Sequence, residues 1–475
     1  MMRLSEAAAV TRGALRGADA VFEGVAIDSR RAARGDLFVA IGGARRDGHD
    51  FIAQAREAGA AGALVSRARA RAGRAGGELP HVAVGDTTEA LGRLGAHWRG
   101  RFDIPLVAVT GSNGKTSVTA MLASIFSRAG KCLAPRASFN NQWGVPLTLL
   151  RLRAHHTHAV VEMGMNRAGE IEKLCALARP RIALVTNVAP AHLAGAGLKN
   201  LQGVAEAKAE IFSHLAHDGV AVLNADDRFH AFFAERAARH KRLSFGIDGR
   251  APADVRAREC AQEGAGSAFE LCVGERRARV RLRLLGAHNV RNALAAAAAA
   301  HAAGAALGDI RDGLEAFRAL PGRLRELPGP GGAVILDDAY NANPASLKAA
   351  LDVLSRRAAP RIAVLGAMAE LGARSEALHF DAGAYARQAG VARLFCFGPA
   401  DQAGLAGYMR GFGDGAKRVG KLGALLSQLQ PLLAGNDGAS VLVKGSRAAA
   451  MERVVEALAS ESAFAPEQQA GGAAC

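Results

Sequence analysis

The sequence predicts an α/β protein of about three domains, with a doubly wound, mostly parallel sheet in the middle one. Three observations carry that expectation. The chain has 475 residues, roughly three times a typical domain of about 150. Short apolar runs alternate with helix-forming stretches, as in strands joined by crossover helices. One run, Ile104-Pro-Leu-Val-Ala-Val109, leads directly into a glycine turn and then a helical stretch.

Half of the residues are hydrophobic and 22% are charged, which excludes intrinsic disorder for most of the chain. Lysine and arginine total 60 against 44 acids, a formal charge of +16. The cations are scattered from Arg3 to Arg453 without a long run. Such scatter reads as arginine-rich usage and solvated faces rather than a dedicated nucleic-acid surface, although it would attract small anions. The six cysteines, Cys132, Cys175, Cys260, Cys272, Cys396 and Cys475, form no C-x-x-C pair. Neither a zinc site nor a disulfide framework is expected, which points to a reducing compartment. Met1 to Gly24 has no apolar signal core, and the alanine run Ala293 to Ala300 is too short for a bilayer span. The expectation is a cytoplasmic protein without membrane insertion.

Taken in order, residues 1–101 form a first unit, with strand-like runs Asp36 to Ile41, Ala61 to Val65 and His81 to Val84. The Gly/Arg-rich stretch Arg67 to Gly77 reads as an exposed loop. Residues 102–316 form the second. Its buried strand at Ile104 to Val109 precedes a helix reaching about Ser127. Further strands are expected at His158 to Val161, Ile182 to Thr186 and Gly219 to Leu223. Residues near 250–285 differ, with shorter β-like runs at Phe269 to Val273 and Arg279 to Leu284, before an alanine-rich helix from about Val290 to Ala303. Residues 317–462 form the third unit, with strands at Ala333 to Leu336, Arg361 to Leu365, Arg393 to Phe397 and Ser440 to Val443. The remainder, 463–475, is small and polar and reads as disordered.

The sharpest chemical signal is Val109-Thr-Gly-Ser-Asn-Gly-Lys-Thr116. A strand, a glycine turn and a helix N-terminus together cradle phosphate oxygens with backbone N–H groups. Lys115 would sit on the terminal phosphates, and the Thr116 hydroxyl would ligate Mg²⁺. Where the longer P-loop pattern has its first glycine, this chain has Val109, so the loop is a shortened variant. Glu162 and His192 follow strands, where α/β sheets bind ligands, and could complete an oxygen-rich metal site. Each alone reads equally as a surface or capping residue. Lys208, between Glu206 and Glu210, reads by spacing as a solvated helical lysine. Asn289 reads as a cap of the alanine-rich helix. Asp337 and Asp338 follow a strand and suggest a ribose, metal or lysine partner, or simply a turn.

As a set, these motifs resemble one family, the Mur ligases, ATP-dependent amide-forming enzymes of bacterial cell-wall synthesis. Thr110-Gly-Ser-Asn-Gly-Lys-Thr116, Glu162, His192, Asn289, Asn292, Arg323 and Asp338 fall in that family's order. Within it the chain is similar to the branch that attaches D-alanyl-D-alanine. The markers are Asn140-Asn-Gln-Trp-Gly-Val-Pro-Leu-Thr-Leu-Leu150, Asp337-Asp-Ala-Tyr-Asn-Ala-Asn-Pro344, Leu365-Gly-Ala-Met-Ala-Glu-Leu-Gly372 and Val443-Lys-Gly-Ser-Arg447. The chain departs from the pattern at Ala339, where a hydroxyl residue is common, and at Ala367, where an acid is.

The resemblance implies a UDP-binding N-terminal domain, a central P-loop ATP domain and a Rossmann-like C-terminal ligase domain. It implies transfer of the γ-phosphoryl of ATP to the carboxylate of UDP-N-acetylmuramoyl-tripeptide, then attack on the acyl phosphate by D-alanyl-D-alanine. Thr110, Gly111, Ser112, Asn113, Gly114, Lys115, Thr116 and Ser117 would hold ATP with Asn289, Asn292, Arg323 and Asp338. Thr116 and Glu162 would hold one Mg²⁺ and His192 a second, assisted by a carbamate on Lys208. Ser29, Arg30, Asp47 and His49 would take the uridine diphosphate. Asn140 and Asn141 would lie on the central domain's substrate side. Tyr340, Asn341, Asn343, Lys444 and Arg447 would serve the dipeptide end and the closed state. A monomer is expected, with the third unit closing over the P-loop and no nucleic-acid partner. The competing readings are the neighbouring ligase that adds diaminopimelate or lysine, folylpolyglutamate synthetase, and a basic P-loop protein that binds nucleic acid.

Overall fold

The structure, a computed structural model, describes residues 1–43, 46–72, 79–136, 139–190, 198, 200–247, 252–399, 403–434 and 438–459. Three larger sheets follow one another along the chain. The first has five strands in the order Ala14–Arg16, His81–Val84, Gly62–Ser66, Asp36–Val39 and Gly24–Ala26. Beside it, Met2–Arg3 pairs antiparallel with Val21–Phe22. The Gly/Arg-rich stretch is not simply a loop. Arg67–Arg71 is a short helix, because the Ser66 side chain caps it by accepting from the Arg69 N–H; residues 73–78 lie outside the described set, as does the tail 463–475.

The second sheet has nine strands, and Leu106–Thr110 sits inside it between His156–Glu162 and Ile182–Val185, parallel to both. All five residues of Leu106–Thr110 are buried. Their side chains alternate as a strand demands. Leu106 and Ala108 join the apolar layer that includes Val145 and Ile171, while Val107 and Val109 join the opposite layer with Val118 and Met121. Helix Lys115–Phe126 and the alanine-rich helix Ala287–Ala302 share that second layer. Alanine at Ala293 and Ala295 through Ala300, all buried, lets that helix lie close to the sheet. The outer strands Val255–Glu263, Gly266–Val273 and Arg276–Leu282 pair antiparallel. Gly266–Val273 starts three residues before the expected run, Arg276–Leu282 starts and ends earlier than expected, and Val255–Glu263, whose polar and charged residues form no apolar run, was not foreseen.

The third sheet has six strands, and only Arg325–Pro328 at its edge is antiparallel. Val334–Asp338, Ser440–Lys444 and Arg361–Leu365 lie side by side and parallel. The strand C-termini of the second and third sheets therefore supply Thr110, Glu162, Asp338 and Lys444, and the last two of these reach the same opening as Glu162. No helix among the described residues is long and apolar enough to cross a membrane.

Candidate active site

That opening is a cleft of about 1830 Å³, lined by residues 112–117, by Glu162 and Lys208, and by Arg323, Asp338 and Lys444 from the third sheet's unit. Its floor is the glycine turn. Gly111 has φ +146° and Gly114 has φ +83°, backbone that favours glycine. Both are also crowded: a Cβ on Gly111 would lie 1.7 Å from Thr186 Oγ1, and one on Gly114 2.3 Å from Asn292 Oδ1. Gly114 precedes the helix Lys115–Phe126, whose first N–H groups have no intrahelical acceptor. Those donors and the helix N-terminus make an anion cradle.

Strand-end residues clamp the turn from beside it. Thr186 Oγ1 donates to the Asn113 carbonyl at 2.6 Å, and Asn187 Nδ2 donates to it at 3.2 Å. The Asn113 N–H donates to Asn187 Oδ1 at 3.1 Å. Ser112 Oγ donates to the Ala189 carbonyl and accepts from the Ala189 N–H. Thr110 Oγ1 is turned away, donating to the Met163 carbonyl at 2.8 Å. Thr186 and Asn187 were given no role by the sequence reading. Their signal was two polar residues at the end of a buried strand.

Lys115 donates to the Gly111 carbonyl at 2.7 Å and faces the cleft. Burial lowers its pKa, the Glu162 carboxylate opposes that, and Arg323 adds to it. Glu162 is the last residue of its strand rather than the one after it, and is 2% exposed. Asn140 Nδ2 donates to it at 2.6 Å. Asn141 lines the cleft, but its Oδ1 accepts from the Trp143 and Gly144 N–H groups and so starts the helix Gly144–Leu149. Lys208 is not the solvated lysine its spacing suggested. It is 2% exposed, and burial, then Lys115, pushes its pKa well down. Its helix packs that face inward between the buried Ala207 and Ala209. His192 lies outside the described residues.

Asn289 does not cap its helix; Gly286 takes that place. The Asn289 side chain donates to the Leu285 carbonyl at 2.8 Å and accepts from Asn292 Nδ2 at 3.3 Å. The pair thereby presents Asn292 Oδ1 close to Gly114. Nearby His288, which the sequence reading also missed, has its pKa lowered to about 4 by burial, with Asp338 opposing.

Of the partners open to the paired acids, a lysine is the one found for Asp338. Lys444, 2% exposed, donates to Asp338 Oδ2 at 2.5 Å and to the Asn341 carbonyl at 2.8 Å. Burial lowers the Lys444 pKa, against the pull of Asp338. Asp337 instead accepts from the Gly322 N–H at 2.8 Å and shapes the turn before Arg323. Arg323 donates to Thr116 Oγ1 at 3.2 Å and lies 4.1 Å from the Tyr340 ring centre. Arg447 approaches the same ring at 5.8 Å. Asn343 Nδ2 donates to Asn113 Oδ1 at 2.6 Å.

Ser29, Arg30, Asp47 and His49 do not line this cleft. Ser29 Oγ donates to Gln54 and Arg30 pairs with Asp28. Asp47 joins His49 and Arg69, and His49 Nε2 accepts from the Ser66 N–H. This group belongs to the first sheet's unit.

Comparison with known proteins agrees with the geometry along nearly the whole chain. Residues 21–99 match the model of the Mur ligase family catalytic domain, 109–300 the Mur ligase middle domain, and 322–447 the Mur ligase glutamate ligase domain. The UDP-N-acetylmuramoyl-tripeptide–D-alanyl-D-alanine ligase of Escherichia coli K12 is 41% identical over 455 residues, covering 96% of this chain and 98% of that protein. The ligase of the same name from Haemophilus influenzae is 37% identical, covering 92% and 93%. A crystal structure of MurF from Acinetobacter baumannii superposes with a TM-score of 0.87 at 33% identity, covering 97% and 99%. MurF ligase from Thermotoga maritima in complex with ADP gives 0.78 at 25% identity, covering 93% and 98%. Matches to three Mur ligase models in order along the chain, and relatives above 30% identity over nearly its whole length, mean that the chain belongs to the Mur ligase family.

Proposed function

We propose that the chain is an ATP-dependent ligase that joins D-alanyl-D-alanine to UDP-N-acetylmuramoyl-tripeptide in peptidoglycan precursor synthesis, releasing ADP and phosphate. The observation that carries this reading is the meeting of Lys115, Glu162 and Arg323 in one cleft, beside relatives that bear that name. An amide does not form from a carboxylate and an amine unless the leaving oxygen is activated. The tripeptide carboxylate would attack the γ-phosphorus of ATP, and ADP would leave. The dipeptide amine would then attack the acyl carbon, lose a proton and expel phosphate.

The first step brings two anions together, so cations must stand between them. Lys115 at the turn and Arg323 from the facing unit supply that charge. Asn289 and Asn292 would meet the nucleotide, and Asp338, held by Lys444, its ribose. Divalent metal fits the residues present: the Thr116 hydroxyl and the Glu162 carboxylate are oxygen donors, too few to enclose an ion, as suits Mg²⁺ completed by water and phosphate. It would neutralise charge on the transferred phosphoryl group. We extend the proposal to a second Mg²⁺ at His192 and to a carbamate on Lys208. A lysine whose pKa burial has lowered offers the free amine that carbon dioxide requires.

The units 1–101, 102–316 and 317–462 would divide the work. Ser29, Arg30, Asp47 and His49 would hold the uridine diphosphate, Asn140 and Asn141 the peptide, and Tyr340, Asn341 and Arg447 the dipeptide end. We propose a cytoplasmic monomer whose partners are these small substrates. Phosphate release, measured with ATP, UDP-linked tripeptide and D-alanyl-D-alanine, should require all three. Release that continues without the dipeptide, or that a free diaminopimelate or lysine supports equally, would sink this reading.

A further inference from the structure

We infer that Asn343 is a positioning residue, a neutral latch that fixes the third sheet's unit to the P-loop; the inference rests on the ligase reading above. Asn343 is 9% exposed and stands at the N-cap of the helix Pro344–Leu354. Its Oδ1 accepts from the Ser346 N–H at 2.9 Å, and its own N–H donates back to Ser346 Oγ at 3.0 Å. That reciprocal pair decides which end of the amide is oxygen. The nitrogen end is left to face the central unit, where it donates to Asn113 Oδ1 at 2.6 Å.

The Asn113 peptide is itself held at both ends. Its peptide N–H and carbonyl are both taken by Asn187, and Thr186 shares the carbonyl. The side chain therefore leaves a fixed peptide in the middle of the phosphate turn. Three amides, Asn187, Asn113 and Asn343, join the central sheet to a helix of the facing unit through the turn itself. The link carries no net charge, so it leaves the charge balance at the phosphate turn unaltered. Closure and phosphate-turn geometry are coupled by it, because the turn's position and the helix's position are read by the same bond.

Serine caps helices as well as asparagine does but is too short to reach Asn113. Asn343→Ser should keep the thermal midpoint and lower kcat/KM about fivefold to tenfold, the worth of one buried neutral hydrogen bond. Asn113→Ala should do the same. The double variant should be no worse than the poorer single one. Interdomain distances by double electron–electron resonance, with spin labels on exposed positions of each unit and an ATP analogue plus UDP-linked tripeptide bound, need no turnover; both single variants should broaden them. Losses that multiply in the double variant, or single variants with unchanged distances, would overturn the latch. If the unaltered chain joins no dipeptide, the ligase reading fails, and the distance measurement still decides the latch.

Discussion

Lys115 and Lys208 share a cleft but stand in different relations to it. Lys115 donates only to carbonyls of its own turn, and the nearby Glu162 carboxylate keeps its hydrogen bond from Asn140 when Lys115 is removed. Lys115→Ala should cut phosphate release by at least about a hundredfold, as loss of one preorganised charge donor does. Its thermal midpoint should stay within about 2 °C, the range of substitutions outside the core. A variant that keeps near-normal turnover would remove Lys115 from the chemistry. Lys208 is the opposite case, a cation placed where burial disfavours it. The unfolded chain holds its proton up to the ordinary lysine range, and the folded chain gives it up earlier. Folding therefore weakens as pH falls from about 10 toward neutrality on account of this group. In buffer stripped of carbon dioxide and bicarbonate, where the amine is free, Lys208→Met should raise the thermal midpoint at pH 7 and flatten that slope. An unchanged slope between pH 7 and 10 would mean that the folded amine is not the species present, as a carbamate there would produce.

The turn and the helix it opens were readable because every residue they need is adjacent. Glycine at Gly111 and Gly114 answers to backbone angles and close approach, and Lys115 follows them directly. The helix end near Ser127 and the strands Arg361–Leu365 and Arg393–Phe397 were equally local. What escaped depends on partners far along the chain. Asn187 acts on Asn113, Lys444 on Asp338, and Lys208 is buried by packing of its helix. None of those pairs has a fixed spacing that a motif could carry. Asn289 was misread for a related reason: a good capping residue stood near a helix start, but the chain began the helix three residues earlier, after Gly286. Gly114 gives the sharpest test of this element. Gly114→Ala must hold alanine at φ +83°, which costs about 1–2 kcal/mol, and must also push Asn292 away. The expected result is a folded protein with a raised KM for ATP and at least tenfold lower kcat/KM. Restoring space with Asn292→Ala in the same chain should recover part of the stability but not the nucleotide affinity. Full activity in Gly114→Ala would show that the turn does not hold phosphate.

Across the whole molecule, the site is complete only when the second and third sheets' units face each other. Arg323 shows why. Its backbone belongs to the turn shaped by Asp337, its guanidinium lies 4.1 Å from the centre of the Tyr340 ring, and it donates to Thr116 Oγ1 at 3.2 Å. A planar cation can stack and donate at once, whereas an ammonium cannot. Ligand binding that favours this facing arrangement would hold that charge against the phosphates and exclude water from a reactive acyl phosphate. Addition of an ATP analogue with UDP-linked tripeptide should therefore lower the radius of gyration measured by small-angle scattering. Arg323→Ala should lose about a thousandfold in kcat, as removal of a charge-stabilising arginine does in phosphoryl transfer. Arg323→Lys should recover only part of that loss, because charge returns without the stacking that aims it. Both variants should bind the sugar-linked substrate normally, since its uridine end is assigned to the first unit. If the lysine variant worked as well as the original, point charge alone would suffice, and the Tyr340 ring would have no part in setting the reach from one unit to the other.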